Sequence, residues 1–153
     1  MHVIILALLI GIIAGLRAFT APTAVSWAAR CGLLPLAGTH LAFLGNLITV
    51  CILTLLALFE LVNDKLPKTP SRKAPPSFIV RIVFGAFSGA AIGLGVGSVW
   101  TGMVCGAIGA VIGTLGGAAV RGALAAAFGK DLPAALLEDA VAIVGSYLIV
   151  THI

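Results

Sequence analysis

From Ile82 to Val120 the chain carries no charged side chain, and this run limits what the rest can be. A bilayer crossing takes about 20 apolar residues, so residues 82–120 are long enough for two helices joined by a short turn. Shorter uncharged runs occupy residues 2–16, 31–59 and 140–153. Across the chain 61% of residues are hydrophobic and 9% are charged, where a soluble domain carries about 25% charge. With a mean hydropathy of +1.22, too little polar surface remains to clothe a water-soluble globule. Disorder, a collagen-like chain and a disulfide-stapled mini-protein are excluded by the same composition. The fold expected is an all-α, polytopic transmembrane helix bundle forming one domain over residues 1–153.

Charges and turn residues divide the chain into spans. A first helix covers about 3–16 and breaks at Arg17, and a half-helix follows over 22–30. Further helices are expected over about 39–63, 77–97, 101–128 and 133–151, giving about five spans. Gly129 suits the left-handed end of the fourth span, and Asp131 suits a cap ahead of Pro133. Trp100 falls at the turn between the third and fourth spans, where an interfacial indole is favoured.

The net charge of +4 does not indicate nucleic acid, because position accounts for it. Lys65, Lys68, Arg72 and Lys73, in a Pro-rich stretch over 64–76, and Arg81 just beyond it lie within seventeen residues of one another, the pattern of a cytoplasmic loop under the positive-inside rule. Those in the stretch itself attract anionic lipid head groups. If the half-helix does not cross, the N-terminus shares the cytoplasmic side with this loop. If residues 17–34 do complete a crossing, there are six spans and the N-terminus moves outside. Cys31, Cys51 and Cys105 sit in apolar runs without a C-x-x-C pair and read as small buried residues. No spacing of His, Cys or carboxylates calls for a metal, and no motif implies a cofactor or a catalytic residue.

Gly85, Gly89, Gly93 and Gly97 recur every four residues on the third span. Gly109, Gly113 and Gly117 do so on the fourth, with Gly102 and Gly106 as a shorter pair. In lipid, apolar helices associate by close backbone approach, which small residues permit. The stripes therefore predict glycine-zipper packing of these two helices, within one chain or between chains of a homo-oligomer. Arg121 lies four residues past Gly117 and extends that face.

Intramembrane charges need a partner or an aqueous cavity. Glu60 and Asp64 share a face at the end of the second span, and Glu138 and Asp139 stand early in the last. With Arg17 and Arg121 they form the candidate site for a substrate or ion. Arg17 stands at the helix break, and the half-helix N-terminus beyond it favours an anion. A Gly-rich helix leading to arginine, then a helix with carboxylates, occurs in each half. Halves of opposite orientation would make this an inverted repeat, a transporter habit.

Three segments together resemble a known family: Gly15-Leu16-Arg17-Ala18-Phe19, Glu60-Leu61-Val62-Asn63-Asp64-Lys65-Leu66-Pro67, and Arg121 followed by Leu137-Glu138-Asp139. They are similar to a bacterial family of small integral membrane proteins classed as a domain of unknown function. Its members have an E-F-V-x-D-K-x-P element and a later L-x-E-D. Here the loop after Pro67 is shorter and more basic, and Gly122-Ala123-Leu124 replaces a polar, Pro-containing stretch. The resemblance implies a membrane fold in a bacterial inner membrane and assigns no activity. From the residues, the function expected is a small transporter or channel for an ion or polar solute, proton- or cation-coupled. The alternatives are a structural or accessory subunit without transport, and a membrane enzyme or lipid-handling protein acting on lipid phosphates.

Overall fold

The computed structural model describes residues 1–66, 71 and 73–153. Lys68 and Arg72, two of the expected lipid-facing basic residues, lie outside the described residues. The described chain is all-α: α1 His2–Leu16, α2 Thr20–Arg30, α3 Leu47–Asn63, α4 Pro75–Leu94, α5 Val99–Phe128 and α6 Asp131–Thr151, with a short 3-10 turn at Ala42–Gly45. Helices α4, α5 and α6 are long and apolar enough to cross a membrane, and α1 and α3 are shorter apolar helices.

Two expected boundaries move. The second span begins at Leu47 and not near 39, because Asn46 turns extended and its side chain accepts the backbone N–H of Ile48 as an N-cap. Residues 31–46 are instead an irregular connection that buries Leu34, Leu36 and Leu44. The larger change concerns α2. Glu60 reaches the start of α2, Thr23 bonds the carbonyl of Leu53, Ser26 that of Leu44, and Arg30 that of Gly45. The start of α2 thus meets the end of α3 and the end of α2 meets the turn before α3, so α2 runs back along α3 and does not extend α1.

Glycine contacts set the remaining directions. A β-carbon on Gly85 or Gly89 would strike the carbonyl oxygen of Gly106 or Gly102, and one on Gly93 that of Ser98. Helices α4 and α5 are therefore antiparallel and nearly in backbone contact. On α1, Gly11 abuts Gly106, and Gly15 abuts Ala110 and Thr114, so α1 and α5 run parallel. The expected pairing of stripes is thus rearranged. Gly85, Gly89 and Gly93 meet the short pair Gly102 and Gly106, whereas Gly109 and Gly113 pack on Leu8 and Ile12 of α1. Helix α5 is tightly apposed on two sides because its small residues occupy two faces, and all these contacts lie within the chain. Gly117 is half-buried on the same helix.

Gly97 is not part of the zipper. Helix α4 ends at Leu94, and Gly97 turns the chain with φ 75° and open space where a β-carbon would stand. Gly97→Ala will therefore destabilise by about 1 kcal/mol through backbone strain alone. A thermal melt in detergent checks this. Gly129 closes α5 in the left-handed region, φ 68°, as its position suggested.

The bundle consequently has two unlike ends. The α1–α2 break, Asp64, Leu66, Ser71, Ala74 and Asp131 lie at one. Met1 lies at the other, beside Val96 and Ser98 of the α4–α5 turn. This corrects the expectation that the N-terminus shares a side with the 64–76 loop; the return of α2 is the reason. The parallel course of α1 and α5 also corrects the inverted-repeat expectation, because both Gly-to-Arg helices point their arginines at the same end. Cys31 and Cys51 are exposed and Cys105 is half-buried, all with free thiols, so the two exposed ones are not core residues.

Candidate functional site

The break between α1 and α2 organises the charged end. At Arg17 the backbone turns extended, φ −141° and ψ 109°, which stops α1 and leaves carbonyls at its end without helical partners. Arg81 of α4 supplies them: its Nη1 donates to the carbonyls of Gly15 and Leu16, both at 2.8 Å. The start of α2 presents the complementary need, free N–H groups and a positive dipole end. Glu60 of α3 meets it, accepting from the amides of Ala18 at 2.8 Å and Phe19 at 2.9 Å. Each charge has the sign the local helix dipole favours, and the two side chains approach to 3.7 Å. The anion at the half-helix N-terminus is thus the chain's own carboxylate, which corrects the expectation of a free anion site there.

Arg17 is fully buried, with 0% exposure. Its Nη1 donates to Asp64, its Nη2 pairs with Asp139, and Glu138 lies 3.8 Å away. Lys65 pairs with the second oxygen of Asp139 and also donates to the carbonyl of Leu61. Arg121 of α5 donates from Nε and Nη2 to the two oxygens of Asp131, at 3.0 and 2.7 Å, and from Nη1 to Glu138 at 3.2 Å. It also reaches the carbonyl of Asp64 at 3.4 Å. A single oxygen of Glu138 therefore lies between an inner arginine, Arg17, and an outer one, Arg121.

All five carboxylates of the chain enter this network, together with Arg17, Lys65, Arg81 and Arg121. The six site residues expected from the sequence, Arg17, Glu60, Asp64, Arg121, Glu138 and Asp139, come together there. Reading the sequence missed two members. Arg81 looked like a loop cation, yet it is 4% exposed on α4. Its position four residues before Gly85 is the signal that would have found it, since that spacing puts it on the glycine face. Asp131 looked like a helix cap, but it stands in the first turn of α6 and pairs with Arg121 across the turn.

Beside the network opens a cleft of about 740 Å³. Its polar wall is Glu60, Asn63, Asp64, Arg81, Arg121 and Asp131, and Phe19, Leu66, Pro76 and Val80 give it an apolar wall. Arg17, Glu138 and Asp139 lie behind that polar wall and do not line it. A smaller pocket of about 310 Å³ lies at the opposite end, between Met1, Val3, Val96 and Gly102. The two share no residue, and the close contacts of α1, α4 and α5 stand between them. Among the described residues no group of three or more His, Cys, Asp or Glu is placed to hold a metal ion.

Comparison with known proteins gives one result. The family model described as a domain of unknown function, DUF4126, matches residues 4–152. No curated protein and no solved structure matches the chain. With nearly its whole length accounted for by that one model, the protein belongs to the DUF4126 family.

Proposed function

We propose that the protein is a small membrane transporter for an ion or small polar solute, with its cleft as the entry site and the buried charge network as its inner gate. In this reading the chain passes through a bacterial inner membrane six times, α2 and the irregular segment after it together making the second pass, and the charged end faces the cytoplasm. Lys65, Lys73 and Lys130 gather there, and among the described Lys and Arg residues Arg30 alone lies toward the other side, as the positive-inside rule favours. Anionic head groups would sit against Lys65 and Lys73.

The observation that carries the reading is the cleft that ends on buried charge at a helix break. Non-helical backbone at membrane depth persists only where protein or a cavity satisfies it, and transporters place binding sites at such breaks. Ionised side chains are expensive in that setting, and apolar packing would hold helices together at less cost. One observation favours the structural alternative: each charged member of the network already has a partner, an arrangement that also fixes helix register.

Flux into liposomes separates the two. Vesicles holding the purified wild-type protein and a pH-sensitive dye will show solute- or pH-gradient-driven flux above empty vesicles. Arg121→Ala will abolish it while leaving a monodisperse, helical protein. Wild-type vesicles indistinguishable from empty ones across cations, anions and neutral polar solutes would refute the transport reading.

A further inference from the structure

The five carboxylates of the network are not equivalent. The side chains of Glu60, Asp64, Glu138 and Asp139 are 7–14% exposed, whereas that of Asp131 is 60% exposed. Asp131 is also the carboxylate that engages Arg121 through both of its oxygens, against Nε and Nη2 of the guanidinium. That two-point geometry is the one a carboxylate or phosphate ligand adopts on arginine.

We infer that Asp131 is an internal competitor occupying an oxyanion subsite of the cleft, and that a singly charged oxyanion on an apolar stem displaces it from Arg121. The position fits, because Arg121 and Asp131 both line the cleft, and Phe19, Leu66, Pro76 and Val80 offer the stem an apolar wall. Charge fits as well. Among the described residues, the network without Asp131 has as many cations, Arg17, Lys65, Arg81 and Arg121, as carboxylates. A monoanion that replaces Asp131 restores the native total, whereas a dianion adds a further negative charge beside Glu60 and Asp64. Release moves Asp131 toward water that already reaches it. Glu138 contacts both Arg121 and Arg17, so a change at the subsite is felt at the helix break. This inference rests on reading the cleft as the entry site and names its ligand class: a carboxylate or a phosphodiester.

Titration calorimetry on the purified full chain in detergent tests it without any flux. Two probes distinguish a free acid from a lipid head group, namely benzoate and dihexanoylphosphatidylglycerol, and inorganic phosphate serves as the more highly charged comparison. One of the two monoanions will bind more tightly than phosphate. Asp131→Asn will tighten that binding roughly tenfold by removing the competitor, and Arg121→Gln will lose it. Asp131→Glu, which keeps a competing carboxylate, will stay near the wild-type affinity. Circular dichroism confirms that each variant is folded. An unchanged affinity in folded Asp131→Asn, or no Arg121-dependent binding of either monoanion, would overturn the inference. Binding without flux would instead count against transport and leave the subsite standing.

Discussion

Glu60→Ala will destabilise the folded protein by about 3–5 kcal/mol, the range for breaking a buried charge pair by removing one partner. The size follows from what the carboxylate touches. Its two oxygens hold the amides of Ala18 and Phe19, and Arg81 stands 3.7 Å away. Alanine leaves two amide donors at the start of α2 without their acceptor and takes one carboxylate away from the buried Arg81 guanidinium. Water replaces it incompletely because the Glu60 side chain is only 10% exposed. Glu60→Gln keeps one acceptor oxygen of similar shape and loses only the charge, so it will cost less, about 1–3 kcal/mol. Reversible unfolding in mixed micelles measures both. Equal costs within about 0.5 kcal/mol would mean that Glu60 does not cap α2.

The second large effect belongs to Gly106→Val, which will abolish the compact fold or destabilise it by about 3 kcal/mol or more. Gly106 is where three helices meet. A β-carbon there would overlap the carbonyl oxygen of Gly85, and the carbonyl of Gly106 itself fills the space that a β-carbon on Gly11 would need. These neighbours are backbone, which cannot rotate aside as a side chain does. Gly116, ten residues along the same helix, has nothing within 4 Å of its β-position. Gly116→Val will therefore change stability by less than about 0.5 kcal/mol. Thermal melts of the pair separate close packing from the general abundance of glycine in membrane helices.

The same residues show how much the sequence reveals. Helix positions follow from charge-free runs, and α4, α5 and α6 begin and end within a few residues of where turn chemistry puts them. The glycine periodicity marks surfaces of close approach, but period alone does not say which partner each face meets. Gly109 and Gly113 turn to α1 because α5 is in contact on two sides, which is a property of the whole bundle. Direction was the other hidden quantity. Arg17 marks a break equally well whether α2 continues across or returns, and only contacts such as Thr23 to Leu53 decide it.

The site was legible in its acids and less so in its bases. Glu60, Asp64, Glu138 and Asp139 stand out because any carboxylate in so apolar a chain needs a partner. Arg81 was masked by the basic stretch before it, where its charge looked like one more member of a loop. Asp131 was masked by an equally plausible local role as a cap, since Arg121, its partner, lies across a helix turn. Each error exchanged a long-range pairing for a local one, and local signals are what a single sequence carries best.

The proposed gating role of the network and a purely bracing one part at Glu138, which lies between Arg17 and Arg121. Glu138→Gln tells them apart most directly, because it retains the shape of the side chain between Arg17 and Arg121 and removes the charge they share. Flux into proteoliposomes and thermal stability in detergent should be measured on the same preparation. With the network as a gate, Glu138→Gln will lose flux at least tenfold, about 1.4 kcal/mol or more in rate terms, in a protein that remains folded at the assay temperature. Unchanged flux in Glu138→Gln alongside a lowered melting temperature would contradict the gate and leave the network a structural brace.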